Sequence, residues 1–223
     1  MGGALVIAVP LALVWSFSQI AHISLGQLSA DLGVSLFRIA VAYCIAAMLG
    51  WLAALLLTHG KLGDFLLPVF DLLQSLPAFA ILPLAIIYLG RTSFVVIIFL
   101  VIEIIWPIIF TVVSAVKHAD RDIEGAVTMS QVRRADYWRY YLIPLTLPAF
   151  ITGSVIGMGE GWEALIATEI IVMTPNGVGA FFNAVAEYPL LTTFGILVVL
   201  SVVFAINKLI WLPLLNWSHR ISA

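Results

Sequence analysis

Residues Phe94–Val116 read FVVIIFLVIEIIWPIIFTVVSAV, 23 residues that carry one charge, Glu103, and no apolar/polar alternation. A bilayer core of about 30 Å is crossed by about 20 mostly apolar residues in a helix. A barrel strand would instead alternate, so the stretch is read as a transmembrane helix. Five more runs have this character: Gly3–Ile20, Leu36–Leu57, Phe65–Leu89, Pro148–Val172 and Leu191–Leu214. The expected fold is therefore all-α, a single polytopic membrane domain over residues 1–223 with six transmembrane helices. The first run is 18 residues long and apolar like a signal peptide, but it lacks a basic n-region and a small-residue cleavage site, so it is read as a retained span.

Composition agrees. Hydrophobic residues are 63% of the 223 and charged residues 10%, and mean hydropathy is +1.14. A soluble chain of this size needs far more polar surface. Nucleic-acid binding, collagen-like and disordered classes are excluded, and a net charge of -2 leaves no global basic field. The lone Cys44 excludes a disulfide framework, and the four histidines have no ligand spacing, so no metal site is expected.

Orientation follows from the short loops. Lys61, Lys117, Arg121, Arg133, Arg134, Arg139 and Arg220 fall on one side, and Arg91 alone on the other, with Arg38 and Lys208 inside or at the edge of spans and uncounted. That bias of seven to one places both termini in the cytoplasm, with 22–35 and 174–188 outside. Residues 117–147 then form a cytoplasmic loop. Asp120, Asp122 and Glu124 suit a helix N-terminus there. Gly125 and Ala126 leave one helix face bare, open to close approach by another protein. The basic and aromatic stretch Arg133, Arg134, Trp138, Arg139, Tyr140 and Tyr141 belongs at the lipid headgroups. An amphipathic connector is the alternative reading of this loop.

The run from Glu124 to Pro148 resembles the Glu-Ala-Ala (EAA) loop of permease subunits of ABC importers, the binding-protein-dependent transport family. Its parts are Glu124, Gly125, Ala126, Val127, then Ser130 at the glycine position, then Ile143 and Pro144. It departs from the pattern at Gly125, at Ser130 and by one extra residue before Pro144. SLFRIAVAY, DFLLPVFDLLQSLPAFAILPLAIIYLG, IIWPIIFTVVSAVK, GWEALIATE and INKLIWLPLLNW extend the likeness along the chain. It is most similar to the nitrate/sulfonate/taurine branch.

The resemblance implies a type I importer in the inner membrane. Two permease subunits, identical or paralogous, would form the pathway, two ATPase subunits would bind the coupling loops, and an extracytoplasmic solute-binding protein would deliver substrate. This chain would bind no cofactor and be no enzyme, with ATP and Mg on the partner ATPase. It contains no GxxxxGK[ST] phosphate loop. The branch implies a small anion such as a sulfonate, taurine or nitrate.

Ionisable groups at membrane depth are costly and are pathway candidates. Glu103 sits near the middle of the fourth span and Glu160 and Glu163 near the middle of the fifth. At about 100° per residue Glu160 and Glu163 share a helix face, while Glu169 points almost oppositely. Trp162 belongs to the stretch with the narrower family likeness. Each acid has an alternative as a protonated or paired packing group. Several acids without a mid-span Arg or Lys argue against an ionised anion pathway, so a cationic or zwitterionic solute, or neutral carboxyls, stays open. An ion-coupled carrier or channel using these carboxylates is the alternative function, and a purely structural membrane subunit a third. Gly153, Gly157 and Gly161 recur every four residues, the pattern of close helix packing. Pro77 and Pro83, with Gln74 and Ser75 beside them, predict a kink in the third span.

Overall fold

The computed structural model describes residues 2–20, 24–58, 61–119 and 133–221, all helices and short connections, with no strand among them. Helix α1 is Gly2–Ile20, α2 Leu25–Leu57, α3 Lys61–Gln74, α4 Ala78–Leu89 and α5 Ser93–Lys117. Helix α6 starts as Arg134–Tyr137, passes through a π turn at Trp138–Leu142 and continues as Ile143–Val172. Helix α7 is Val178–Val185. Helix α8 runs Pro189–Ile206, through a second π turn at Asn207–Trp211, into Leu212–Ile221.

Among the described residues four helices are long and apolar enough to cross a membrane, and five when the pair α3–α4 is counted as one bent span. Leu5–Ile20 is a shorter apolar helix. In place of the six expected spans the described residues hold four or five, and Phe65–Leu89, expected to kink at its prolines, breaks at Ser75–Pro77 with its two halves at 80°. The cause is local: Pro77 has no N–H to extend α3 and holds an extended backbone as it caps α4. The other helices outrun their apolar runs. Ser24 accepts the Gln27 amide and starts α2 eleven residues before Leu36, so polar residues such as Asp31 and Ser35 are already helical. Residues 134–147, read as part of a loop, are the first turns of α6. The loop on that side is therefore shorter than the sequence indicates.

Helix α5 sits between two seams of small residues. On one side Gly153, Gly157 and Gly161 of α6 face it. A Cβ at Gly157 would lie 2.6 Å from the Ile104 carbonyl oxygen, and one at Gly161 2.8 Å from Ile104 Cγ1. On the other side α2 presents Ala42, Ala46, Gly50 and Ala54, and a Cβ at Gly50 would lie 3.2 Å from Ile105 and Ile108. In lipid no hydrophobic force draws helices together, so this approach, with its dense dispersion contacts, is what holds the three. Val96, Leu100, Ile104 and Ile108 are fully buried between the seams. Tyr43 adds a polar pin across the bundle, its hydroxyl donating to Ser154 Oγ at 3.1 Å while its ring meets Trp211 edge-on. A second core of Phe17, Phe181, Phe182 and Val198 joins α1, α7 and α8.

Candidate functional site

Two polar features interrupt the apolar bundle. The first lies where α5 begins and α6 ends. Arg38 of α2 and Glu169 of α6 are 4% and 0% exposed and form an ion pair at 2.5 Å. The carboxylate is fully coordinated. Ser35 Oγ lies 2.8 Å from each of its oxygens and donates to it, and the Gly179 amide donates to Oε2 at 2.9 Å. The guanidinium donates through Nη1 to the Asn176 carbonyl at 2.9 Å and through Nη2 to Ser93 Oγ at 2.8 Å. The Val178 amide donates to Ser35 Oγ, and the Gly177 amide to Asp31 Oδ1, each at 2.9 Å. Gly177, at φ 120°, makes the approach possible, since any Cβ there would lie 2.7 Å from Arg38 Nη1 and from both Glu169 oxygens. No buried side-chain polar atom is left unpaired among the described residues.

The second feature is a cleft of about 410 Å³ between the α3–α4 break, α5 and α6. Gln74, Glu103, Trp106, Thr111 and Glu160 are among its lining residues. Glu160 and Glu163 are exposed and Glu103 half-buried. The three carboxylates are within electrostatic reach of one another. Among the described residues no lysine or arginine lines the cleft. The one ion pair among the described residues is that of Arg38, at the other site. Trp106 presents an aromatic wall, and Thr111 spends its proton on the Pro107 carbonyl at 2.7 Å. The site can therefore accept hydrogen bonds and hold positive charge.

The structure thus separates the pathway candidates. Glu103 and Glu160 share the cleft, with Glu163 on the same exposed face of α6. Glu169 is instead consumed by Arg38, and Trp162, 8% exposed, packs in the core with Ile104 and Leu165. Pro144 lies in the opening turn of the Ile143–Val172 segment, just after the π turn. Glu124, Gly125, Ala126, Val127 and Ser130 lie outside the described residues. Arg38, Ser35 and Gly177 were missed by sequence reasoning. The available signal was Arg38 itself, a charge in an apolar run that requires a partner of opposite sign. No group of three or more metal-ligating side chains occurs among the described residues.

Residues 46–214 match the family described as binding-protein-dependent transport system inner membrane component. The chain is similar to the nitrate import permease protein NrtB of Leptolyngbya laminosa, 31% identical over 153 residues that cover 68% of this chain and 54% of that protein. It is similar to the bicarbonate transport system permease protein CmpB of Synechococcus elongatus, at 28% over 66% of this chain and 53% of that protein. It is also similar to the taurine transport system permease protein TauC of Escherichia coli, 29% identical over 86% of this chain and 69% of that protein. The chain spans a little over half the length of the nitrate and bicarbonate relatives that it matches.

Proposed function

Because this chain belongs to the family of binding-protein-dependent transport system inner membrane components, we propose that it is the membrane-spanning subunit of an ATP-driven importer that moves a small solute by alternating access. The observation that carries the reading is the cleft beside the α3–α4 break, lined by the carboxylates Glu103 and Glu160 from within the apolar helices α5 and α6. Six spans with both termini cytoplasmic, a second permease subunit, two ATPase subunits and an extracytoplasmic binding protein complete the proposal. ATP and Mg are held by the ATPase, which docks on the segment holding Glu124, Gly125, Ala126, Val127 and Ser130.

For the solute, the relatives' names supply nitrate, bicarbonate and taurine. The cleft's own charge favours a molecule that brings a positive group. A zwitterion such as an amino-sulfonate meets both conditions, its ammonium facing Glu103 and Glu160 beside Trp106.

The test is uptake into proteoliposomes holding this chain with its ATPase and binding protein, across nitrate, bicarbonate, taurine and a quaternary amine. ATP-dependent uptake that Glu124→Arg abolishes, while the complex still assembles, supports the reading. Uptake driven by a pH gradient without the ATPase would replace it with an ion-coupled carrier.

A further inference from the structure

We infer that the Arg38–Glu169 cluster welds α2, α5, α6 and α7 into one rigid block at one end of the bundle, and that access at this end is gated by α3–α4 swinging about Ser75–Pro77. The inference rests on the transport reading above.

The weld is polar and distributed. Arg38 and Ser35 come from α2, Ser93 from the first turn of α5, Glu169 from the last turn of α6, and Val178 and Gly179 from the first turn of α7. Separating any one of these helices would break several bonds of a buried charge or a buried amide at once. Because Ser35, Arg38 and Glu169 share partners, these bonds persist or fail together. A motion that opens this end at low cost therefore leaves the cluster intact.

Helices α3 and α4 are held differently. Among the described residues no side chain from Phe65 to Leu89 hydrogen-bonds to another helix. The polar contacts there are local, Gln74 Nε2 donating to Asp71 Oδ1 at 2.8 Å and Ser75 Oγ to the Leu72 carbonyl at 2.7 Å. Attachment to the block is apolar, through Ala78 and Leu82 on α4 and an edge contact of Phe70 with Trp106. Such surfaces slide without orphaning polar groups. The 80° break puts a pivot between the two halves, and Gln74, at the pivot, lines the cleft with Glu103 and Glu160. Movement there changes access to the carboxylates directly.

The experiment uses the whole complex with its ATPase, in a Cys44→Ala background, with labelled chain diluted so that each complex carries at most one labelled copy. Spin labels at Gln27→Cys and Ala184→Cys, both exposed, report on α2 against α7. Labels at Leu72→Cys and Ile156→Cys report on α3 against α6. Distances are compared without nucleotide and after trapping with ATP and vanadate. The expected result is an unchanged Gln27/Ala184 distribution and a Leu72/Ile156 shift of roughly 5 Å, the scale of one helical turn. An equal shift in the first pair would overturn the inference, as would a static second pair in a complex that hydrolyses ATP. Failure of the chain to associate with any ATPase is a different result, which would overturn the transport reading itself.

Discussion

Gly179 donates its amide to Glu169 Oε2 at 2.9 Å and lies so close to that residue that its missing side chain would occupy the space of Glu169 Cβ. The same position also faces the backbone, with Ile170 N 2.7 Å from where a Cβ would stand. Backbone cannot rotate aside as a side chain can. Gly179→Ala should therefore cost about 1–3 kcal/mol, as overpacking does. Gly159→Ala is the control, because nothing lies within 4 Å of a Cβ there. Thermal unfolding of the two variants in detergent should show a lowered midpoint for the first and none for the second.

The buried pair predicts an asymmetry between single and double variants. Removing one partner of a buried ion pair costs about 3–5 kcal/mol, whereas replacing both with apolar side chains is often close to neutral. Arg38→Met and Glu169→Leu should each depress the yield of folded protein sharply. The double variant should recover part of it, not all, because Ser35 and the Gly179 amide lose their acceptor when Glu169 is removed. Size-exclusion yield of the four proteins checks this, and full recovery in the double variant would mean that the surrounding bonds contribute little.

Both seams on α5 should reject bulk. Gly157→Leu and Ala46→Leu place a branched side chain where the structure has, respectively, the Ile104 carbonyl and a fully buried Ala46. Each should reduce folded yield several-fold. Leu substitution at exposed Ala184 should leave it unchanged.

The glycine seam was legible in the sequence because four-residue spacing is a local pattern. The matching row on α2, Ala42, Ala46, Gly50 and Ala54, has the same spacing, yet in an alanine-rich run it does not stand out. The break in the third apolar run was marked by Pro77, but its angle depends on what α4 packs against. The ion pair was hidden for another reason. Its partners are 131 positions apart, and Arg38 lies near the start of an apolar run, where a charge can be taken for a snorkelling residue. Helix α7 and the two π turns carry no compositional mark.

In the cleft, Glu160→Gln and Glu163→Gln keep size and remove charge. If the carboxylates meet the solute, uptake per folded complex should fall or its selectivity should shift toward anions, with folded yield unchanged. Glu169→Gln should do the opposite, lowering yield while transport per surviving complex holds. Unaltered uptake and selectivity in both Glu160 and Glu163 variants would remove them from the pathway.

The topology is checked by reporter fusions at Ala223 and Asn176, which should report opposite faces of the membrane. Agreement between them would mean that α8, the long apolar helix between the two positions, fails to cross.

The π turn at Trp138–Leu142 sets an angular offset within α6. A turn closed by i→i+5 bonds holds one residue more than its neighbours, so the helix before it is rotated by roughly 100° relative to a regular continuation. Arg133 and Tyr137 thus stand on a different meridian from the one that straight winding would give them over Gly153 and Gly157. Deleting one residue from 138–142 would restore regular winding and twist the whole preceding segment, which adjoins residues 120–132, about the axis of α6. The offset thus decides which side chains of the opening turns share a face with the glycine seam, and so what that face of α6 presents below it.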